Sequence, residues 1–294
     1  MIEIKNLTKR FPPDVVAVNQ LTLDIKKGVN GLIGHNGAGK STLLRLIADV
    51  YQKDEGIVLI DGIDNQDNDA KKNLFFLSDD PFYSGNGSAM ENLALYDALF
   101  DLDQEKFKKM MSQLSLPLNR RVSTFSKGMR RQLFLCIALS MNAHYILLDE
   151  AFDGLDPMVI ELVKDEIIST AQNKVFLISS HNLQTLERLC DNFILLSKGK
   201  LTKEGEREDM GKTFVKYQVM FPIEVNEQIL KANGIDVISF KKSGSIYFIV
   251  LANPEQKDLL VEKFKPTLIE NVAIENDEII KLEMLIAKEG KKDE

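Results

Sequence analysis

Two hydrophobic periods alternate along this chain. Near the N-terminus, Ile2, Ile4 and Leu7 alternate with polar neighbours, and Val18–Ile25 does the same, so the spacing predicts two strands. Val29–Ile33, Leu74–Leu77, Tyr145–Leu148 and Val175–Ser180 are short, mostly apolar runs of strand length. A strand with little or no polar face belongs in the middle of a parallel sheet covered on both sides. Leu43, Leu44, Leu46 and Ile47 switch to helical spacing, as do Met90–Phe100, Gln104–Gln113 and Arg130–Met141. The region from about residue 81 to 140 is therefore expected to be largely helical, with Pro117 breaking the run. Gly56–Asp61 reads as one arm of a hairpin turned at Asp61-Gly62. Phe193–Ser197 and Lys200–Thr202, joined through Lys198-Gly199, form the last strand pair of this part.

Beyond about residue 212 the pattern starts afresh. Strand Val215–Phe221, helix Val225–Ala232, strands at Ile235–Phe240 and Ser245–Leu251, and helix Pro254–Phe264 follow in order. A strand at Leu268–Ile274 and a helix at Asp277–Lys288 end the series before a charged tail. That order predicts a small α+β domain, residues 213–294, of the ferredoxin-like kind. It contains no chemistry-bearing constellation, and fold alone does not assign a task.

The chemistry concentrates in the first part. Gly34-His35-Asn36-Gly37-Ala38-Gly39-Lys40-Ser41-Thr42 matches the phosphate-loop pattern G-x-x-x-x-G-K-[ST], between a strand and a helix start, where the pattern acquires its mechanism. Glycines let successive N–H groups converge on one anion, and the helix N-terminus adds the positive end of its dipole. Lys40 then meets the β- and γ-phosphates, and the Ser41 hydroxyl ligates Mg²⁺. The run Tyr145–Leu148 ends in Asp149-Glu150, at the strand end where open α/β sheets bind ligands. Asp149 suits the metal and Glu150 suits a general base for an attacking water. The alternative for these two carboxylates is a solvated strand end. Upstream, Ser126-Lys127-Gly128-Met129 offers a capping serine before a helix, with free N–H groups that also attract an anion.

Taken together, these motifs resemble the ATP-binding cassette ATPases, and the resemblance covers residues 1–212. Thr124–Leu133 is similar to the family's signature sequence. Ser126 and Gly128 match its L-S-G-G-Q form, while Phe125, Lys127 and Met129 depart from it. Ala151–Pro157 resembles the D-loop, with Asp156 the matching residue. His181 matches the switch histidine that contacts the γ-phosphate; helix capping is its alternative. Phe11 stands where an aromatic stacks on adenine, with a core aromatic as the alternative, and Val16 is a weaker candidate nucleotide contact. Asp79 stands where Gln or Glu is usual. Being shorter, it would reach the metal through water, which counts it among the candidate catalytic and metal-binding residues. Glu91-Asn92-Leu93 is similar to an E-N-L segment near the groove that receives the membrane partner.

The resemblance implies a P-loop NTPase cassette, that is, a RecA-like core with an antiparallel β subdomain and a helical subdomain at about 81–140. It implies ATP and Mg²⁺ as cofactors, and a head-to-tail pair with a second cassette subunit whose Ser126 loop covers the ATP on Lys40. It also implies an integral-membrane permease as partner, with bacterial exporter-type cassettes the nearest in form. A cytosolic ATPase using the same dimer cycle for another mechanical task is the competing expectation.

Composition narrows the setting. The 294 residues suffice for two cores. No apolar run approaches the roughly 20 residues of a spanning helix, and the alternating start lacks the apolar region of a signal peptide. Joined to the resemblance, this implies a peripheral place on the cytoplasmic face of the membrane. Two cysteines suit a reducing compartment, and the net charge of −7 argues against a nucleic-acid surface. Of the three histidines, His35 and His144 carry no assigned role.

Overall fold

The computed structural model describes residues 1–180, 183–206, 215–272, 278 and 281–282. It divides into two compact units, Met1–Arg207 and Glu208–Glu294. The expected boundary at residue 212 lies outside the described residues, as does most of the helix expected at 277–288.

The first unit begins with β1 (Ile2–Phe11), β2 (Val15–Ile25) and β3 (Gly28–Ile33), followed by α1 (Lys40–Ile47), β4 (Glu55–Ile60) and β5 (Ile63–Asp64). Then come α2 (Asn68–Lys72), β6 (Leu74–Leu77), α3 (Ala89–Asp97), α4 (Gln104–Gln113) and α5 (Lys127–Ser140). β7 (Tyr145–Asp149), α6 (Pro157–Ala171), β8 (Val175–Ser179), α7 (Leu183–Leu189), β9 (Asn192–Ser197) and β10 (Lys200–Glu206) complete it. Two sheets result. One is antiparallel, in the order β2-β1-β4-β5; the other has six strands in the order β10-β9-β3-β8-β7-β6. In the larger sheet β9, β3, β8, β7 and β6 run parallel and β10 returns antiparallel on β9.

The apolar runs occupy the places their composition demands. Every residue of β7 and β8 is buried, as is all of β3 after Gly28. The polar exception in β3, Asn30, spends its amide protons on the carbonyls of Lys26, Gly28 and Phe176, so a polar group sits in the core without an unmet donor. One core, built from residues such as Ile4, Leu23, Leu43, Ile47, Leu147 and Leu177, joins α1 to both sheets.

The block from 81 to 140 is less helical than its periodicity predicts. α4 agrees with its expected range, but α3 ends at Asp97 and two loops separate the three helices. Local hydrogen bonds explain the loops. Ser88 and Glu91 form a reciprocal capping box that fixes where α3 starts. Asn92 is buried and ties the backbone of Ser84 and Ser88. The Glu91-Asn92 pair therefore shapes the loop ahead of α3. α6 was not foreseen as a helix at all. Asp156 caps it by accepting from the Met158 N–H, with Pro157 in the first turn.

The second unit comprises β11 (Lys216–Met220), α8 (Glu227–Ala232), β12 (Val237–Ser243), β13 (Ile246–Leu251), α9 (Gln256–Phe264) and β14 (Leu268–Val272). Its sheet order β12-β13-β11-β14, antiparallel throughout, is that of two interleaved βαβ halves, the ferredoxin-like arrangement. Alternate residues Tyr217, Val219, Tyr247, Ile249 and Leu251 pack with Leu230 of α8 and Leu260 of α9 into a separate core.

Two independent cores predict independent folding. Residues 1–212 expressed alone should be soluble and melt in one cooperative transition by circular dichroism. An insoluble or molten fragment would show that the first unit needs the second.

Candidate functional site

The parallel register brings the candidate residues together. Asp149 at the end of β7 pairs with Ser179 at the end of β8, and Leu32 of β3 pairs with Ser179 from the other side. The loops leaving β3, β6, β7 and β8 therefore emerge at one edge of the sheet, the carboxyl edge where open α/β sheets bind ligands.

From β3 the chain enters the glycine loop. Gly37 and Gly39 both have positive φ, 81° and 105°. At Gly39 a Cβ would also come within 2.3 Å of the Ala17 carbonyl oxygen. Only glycine satisfies both conditions, and the contact lays the loop against β2, which carries Val16. The Lys40 ammonium is buried beneath the loop and donates to the Gly34 carbonyl at 2.8 Å. Burial pulls its pKa below the usual lysine range, opposed by the nearby charges of Glu150, Asp149 and Asp153. Asn36 and Gly37 are exposed at the loop's tip, Ala38 is buried, and Ser41 and Thr42 are half-buried in the first turn of α1.

Asp149 is wholly buried. Its Oδ1 accepts from the Ser41 hydroxyl at 3.0 Å and from the Ser179 hydroxyl at 2.6 Å. Its Oδ2, equally buried, has no hydrogen-bond partner among the described residues. Burial pushes this carboxyl above its ordinary range; the Ser179 and Ser41 hydroxyls pull the other way, and Asp79 adds to the rise. An unmet carboxylate oxygen beside a serine hydroxyl is a hard-oxygen donor set that fits Mg²⁺, an ion that takes one or two protein ligands and keeps several waters. No cluster of three His, Cys, Asp or Glu side chains suited to a metal exists among the described residues.

Glu150 follows directly with φ 50°, in the left-handed region that non-glycine residues seldom occupy. Its N–H is held at 3.0 Å by both the carbonyl and the hydroxyl of Ser179. Backbone strain of this kind persists only where surrounding bonds over-determine it, and here they re-aim the side chain as the chain leaves the sheet.

Ser179 thus touches both carboxylate-bearing residues, and the sequence reading assigned it no role. The available signal was a hydroxyl residue closing an otherwise apolar buried strand. Ser180 extends the same edge by donating to Asp153 Oδ1 at 3.0 Å. Arg131 of α5 donates to the Asp153 carbonyl, tying the signature helix to the loop that leads to Asp156. Asp156 itself is exposed and engaged as the α6 cap, and His181 lies outside the described residues.

The signature residues behave as their types require. Ser126 caps α5 by accepting from the Met129 N–H at 3.1 Å, so the helix begins at Lys127, where a capping Ser126 places it and three residues before the apolar spacing sets in. Ser126 and Lys127 are exposed, and Gly128 is half-buried, a Cβ there meeting only the Ser126 hydroxyl at 3.9 Å. Phe11 meets Tyr51 edge-on at 5.5 Å. It shares with Val16 and Arg10 a surface hollow of about 470 Å³, next to a cis Pro12–Pro13 bond. Asp79, just past β6, is paired with Arg45 of α1 at 3.0 Å. A second hollow of about 160 Å³ opens between Asp79–Pro81 and Lys127, Arg130 and Phe134.

Comparison with known proteins names this arrangement. A family model described as ABC transporter matches residues 18–153. The chain is 32% identical to the ABC transporter ATP-binding protein NatA of Bacillus subtilis, across 71% of this chain and 91% of that one. The chain belongs to the ABC transporter ATP-binding proteins. The similarity reaches the second unit as well: ABC transporter ATP-binding protein YtrB of B. subtilis is 28% identical over 99% of both chains. A solved ATP-binding subunit of an ABC transporter superposes with a TM-score of 0.65 at 25% identity, over 71% of this chain and 91% of that one. The dimeric structure of a bacterial ABC transporter cassette shares the fold, with a TM-score of 0.63 at 23% identity. Membership makes this an ATP-hydrolysing subunit of a transporter, in a family whose ATPase subunits dimerise and couple to membrane permeases. Among its described residues no helix is long and apolar enough to cross a membrane.

The burial of Asp149 predicts a pH signature in the nucleotide-free ATPase. Its folded pKa lies above the unfolded value, so the unfolded chain loses that proton first. Stability therefore declines as pH rises through the unfolded and then the folded value. Asp149→Asn removes this charge. It should melt above the wild type at neutral pH, with the gap closing on acidification below the carboxylate range. Ser179→Ala deprives both Asp149 and Glu150 of a bond and should cost about 1–3 kcal/mol. Scanning calorimetry across pH checks both, and a gap for Asp149→Asn that does not depend on pH would contradict the first.

Proposed function

We propose that this chain hydrolyses ATP at a site built by Lys40, Ser41, Asp149 and Glu150, and that it powers export through a separate integral-membrane permease. The observation that carries this reading is the convergence of the Ser41 hydroxyl, the half-satisfied Asp149 carboxylate and the buried Lys40 ammonium at one sheet edge. In it Lys40 receives the β- and γ-phosphates once they displace the Gly34 carbonyl, and the N–H groups of Asn36 to Thr42 surround them. Ser41 and Asp149 hold Mg²⁺, whose contribution is to neutralise charge on the phosphate oxygens. Asp79 reaches that ion through water. Glu150, its backbone fixed by Ser179, accepts the proton of the attacking water, and His181 contacts the γ-phosphate. Phe11 and Val16 take the adenine side in the hollow they share.

One chain leaves Ser126 and Lys127 exposed, and Gly128 and Met129 half-buried, at a capped helix start. This supports a head-to-tail pair in which that loop covers the nucleotide on the partner subunit, with Asp156 at the seam. ATP then favours closure because its γ-phosphate is contacted from both sides, and hydrolysis removes that bridge. Export as the direction is supported by the company the sequence keeps. Relatives include the lantibiotic transport ATP-binding protein SrtF of Streptococcus pyogenes, 30% identical over 70% of this chain, and a Nod factor export ATP-binding protein of Rhizobium etli, 28% identical over 87%. The hollow beside Asp79 and Tyr83 is the proposed seat of the permease. Domain division near residue 212 leaves 213–294 to tune dimerisation or partner contact.

Glu150→Gln should bind ATP normally yet turn over at least about a hundredfold more slowly, the usual scale of a lost general base. It should also accumulate as an ATP-dependent dimer by light scattering. Lys40→Ala should instead lose ATP affinity. Unchanged turnover in the first variant, or unchanged affinity in the second, would contradict the assigned roles.

A further inference from the structure

Asp79 brings a negative charge to a position where the family carries a neutral amide or the longer Glu. Left unrestrained, a short carboxylate on a loop would sample many orientations, few of them aimed at an ion held by Ser41 and Asp149. The structure supplies a restraint. Arg45 Nη2 donates to Asp79 Oδ1 at 3.0 Å. Arg45 stands one turn past Ser41 on the same helix, α1, so the Asp79 loop is tied to the element that carries the phosphate loop.

The guanidinium is itself braced. It lies over the ring of Tyr51 at 5.7 Å, and Tyr51 in turn meets Phe11 edge-on. Arginine presents a planar fork whose geometry is set before any bond forms, and stacking on an aromatic removes further freedom. Exposure bears on what the pair is for. With side-chain exposures of 27% and 50%, it is a partly solvated ion pair and contributes little to folding. Its remaining effect is orientation.

We propose that Arg45 is the positioning residue that lets an aspartate serve in this loop: it holds the Asp79 carboxylate toward the divalent-ion site. This rests on the reading of Asp79 as a contact to Mg²⁺ through water. Arg45 touches neither ion nor phosphate in this role and acts only through Asp79. The two side chains then form one unit, and removing either is equivalent to removing both.

The test is a double-mutant cycle on the full chain. Wild type, Arg45→Ala, Asp79→Ala and the double variant are each held with a non-hydrolysable ATP analogue and titrated with Mg²⁺, following the melting midpoint. The proposal expects the Mg²⁺ concentration for half-maximal stabilisation to rise about fivefold in each single variant, the upper scale of a partly exposed ion pair. It expects the same rise, no larger, in the double variant. Arg45→Lys should recover part of the loss, and nucleotide-free melting should stay near the wild-type value, reporting intact folding. A double variant shifted by the product of the single effects would mean that Arg45 acts on the nucleotide directly, overturning the proposal. So would an Arg45→Ala titration that matches the wild type. A wild-type protein that gains no Mg²⁺-dependent stability from the analogue would instead overturn the ATPase site itself.

Discussion

A carboxylate with no access to water at the end of a central strand is the constraint on which this structure turns. Asp149 is held in place because two hydroxyls, from Ser41 and Ser179, reach one of its oxygens, while the other oxygen has no partner among the described residues. Burying a charge in this way is unfavourable unless something pairs with it. The rest of the first unit is arranged around that need. The parallel register brings Ser179 alongside, the glycine loop turns α1 so that Ser41 faces inward, and the buried, mostly apolar strands keep water out. The same burial that raises the carboxyl's pKa leaves a hard oxygen donor suited to a cation.

Strain and attachment radiate from this point. Glu150 takes up a left-handed backbone one residue later, and two bonds from Ser179 hold it there. Asp153 links Ser180 to Arg131, so the edge of the sheet, the loop before Asp156 and the signature helix share one set of hydrogen bonds. A change at the phosphate end of the sheet therefore has a continuous physical route to the helix start that is presented outward. On the other flank Arg45 connects α1 to the Asp79 loop, beside the hollow assigned to the permease. Coupling between ATP and a membrane partner requires connections of this type, between elements that are each rigid.

The second unit obeys different rules. Its antiparallel sheet has a core face of alternating residues closed by α8 and α9. The similarity to YtrB runs across it as well as across the first unit.

The sequence by itself determined what depends on neighbours in the chain. Continuous apolar runs announced the buried parallel strands, the glycine pattern with Lys40 and Ser41 announced the phosphate loop, and Ser126 announced a capped helix. Helix α6 went unread although the Asp156-Pro157 start and the spacing of Ile160, Val163, Ile167 and Ala171 both signal it; the loops between residues 81 and 140 were not legible, because there Ser88, Glu91 and Asn92 settle the backbone by hydrogen bonding. Only the tertiary structure decided the partners of the site. Ser179 lies 30 residues from Asp149 and Arg45 lies 34 from Asp79, and nothing in local periodicity ties such positions together. Register across a parallel sheet and the reach of one arginine do so, because both are properties of strands and helices already packed.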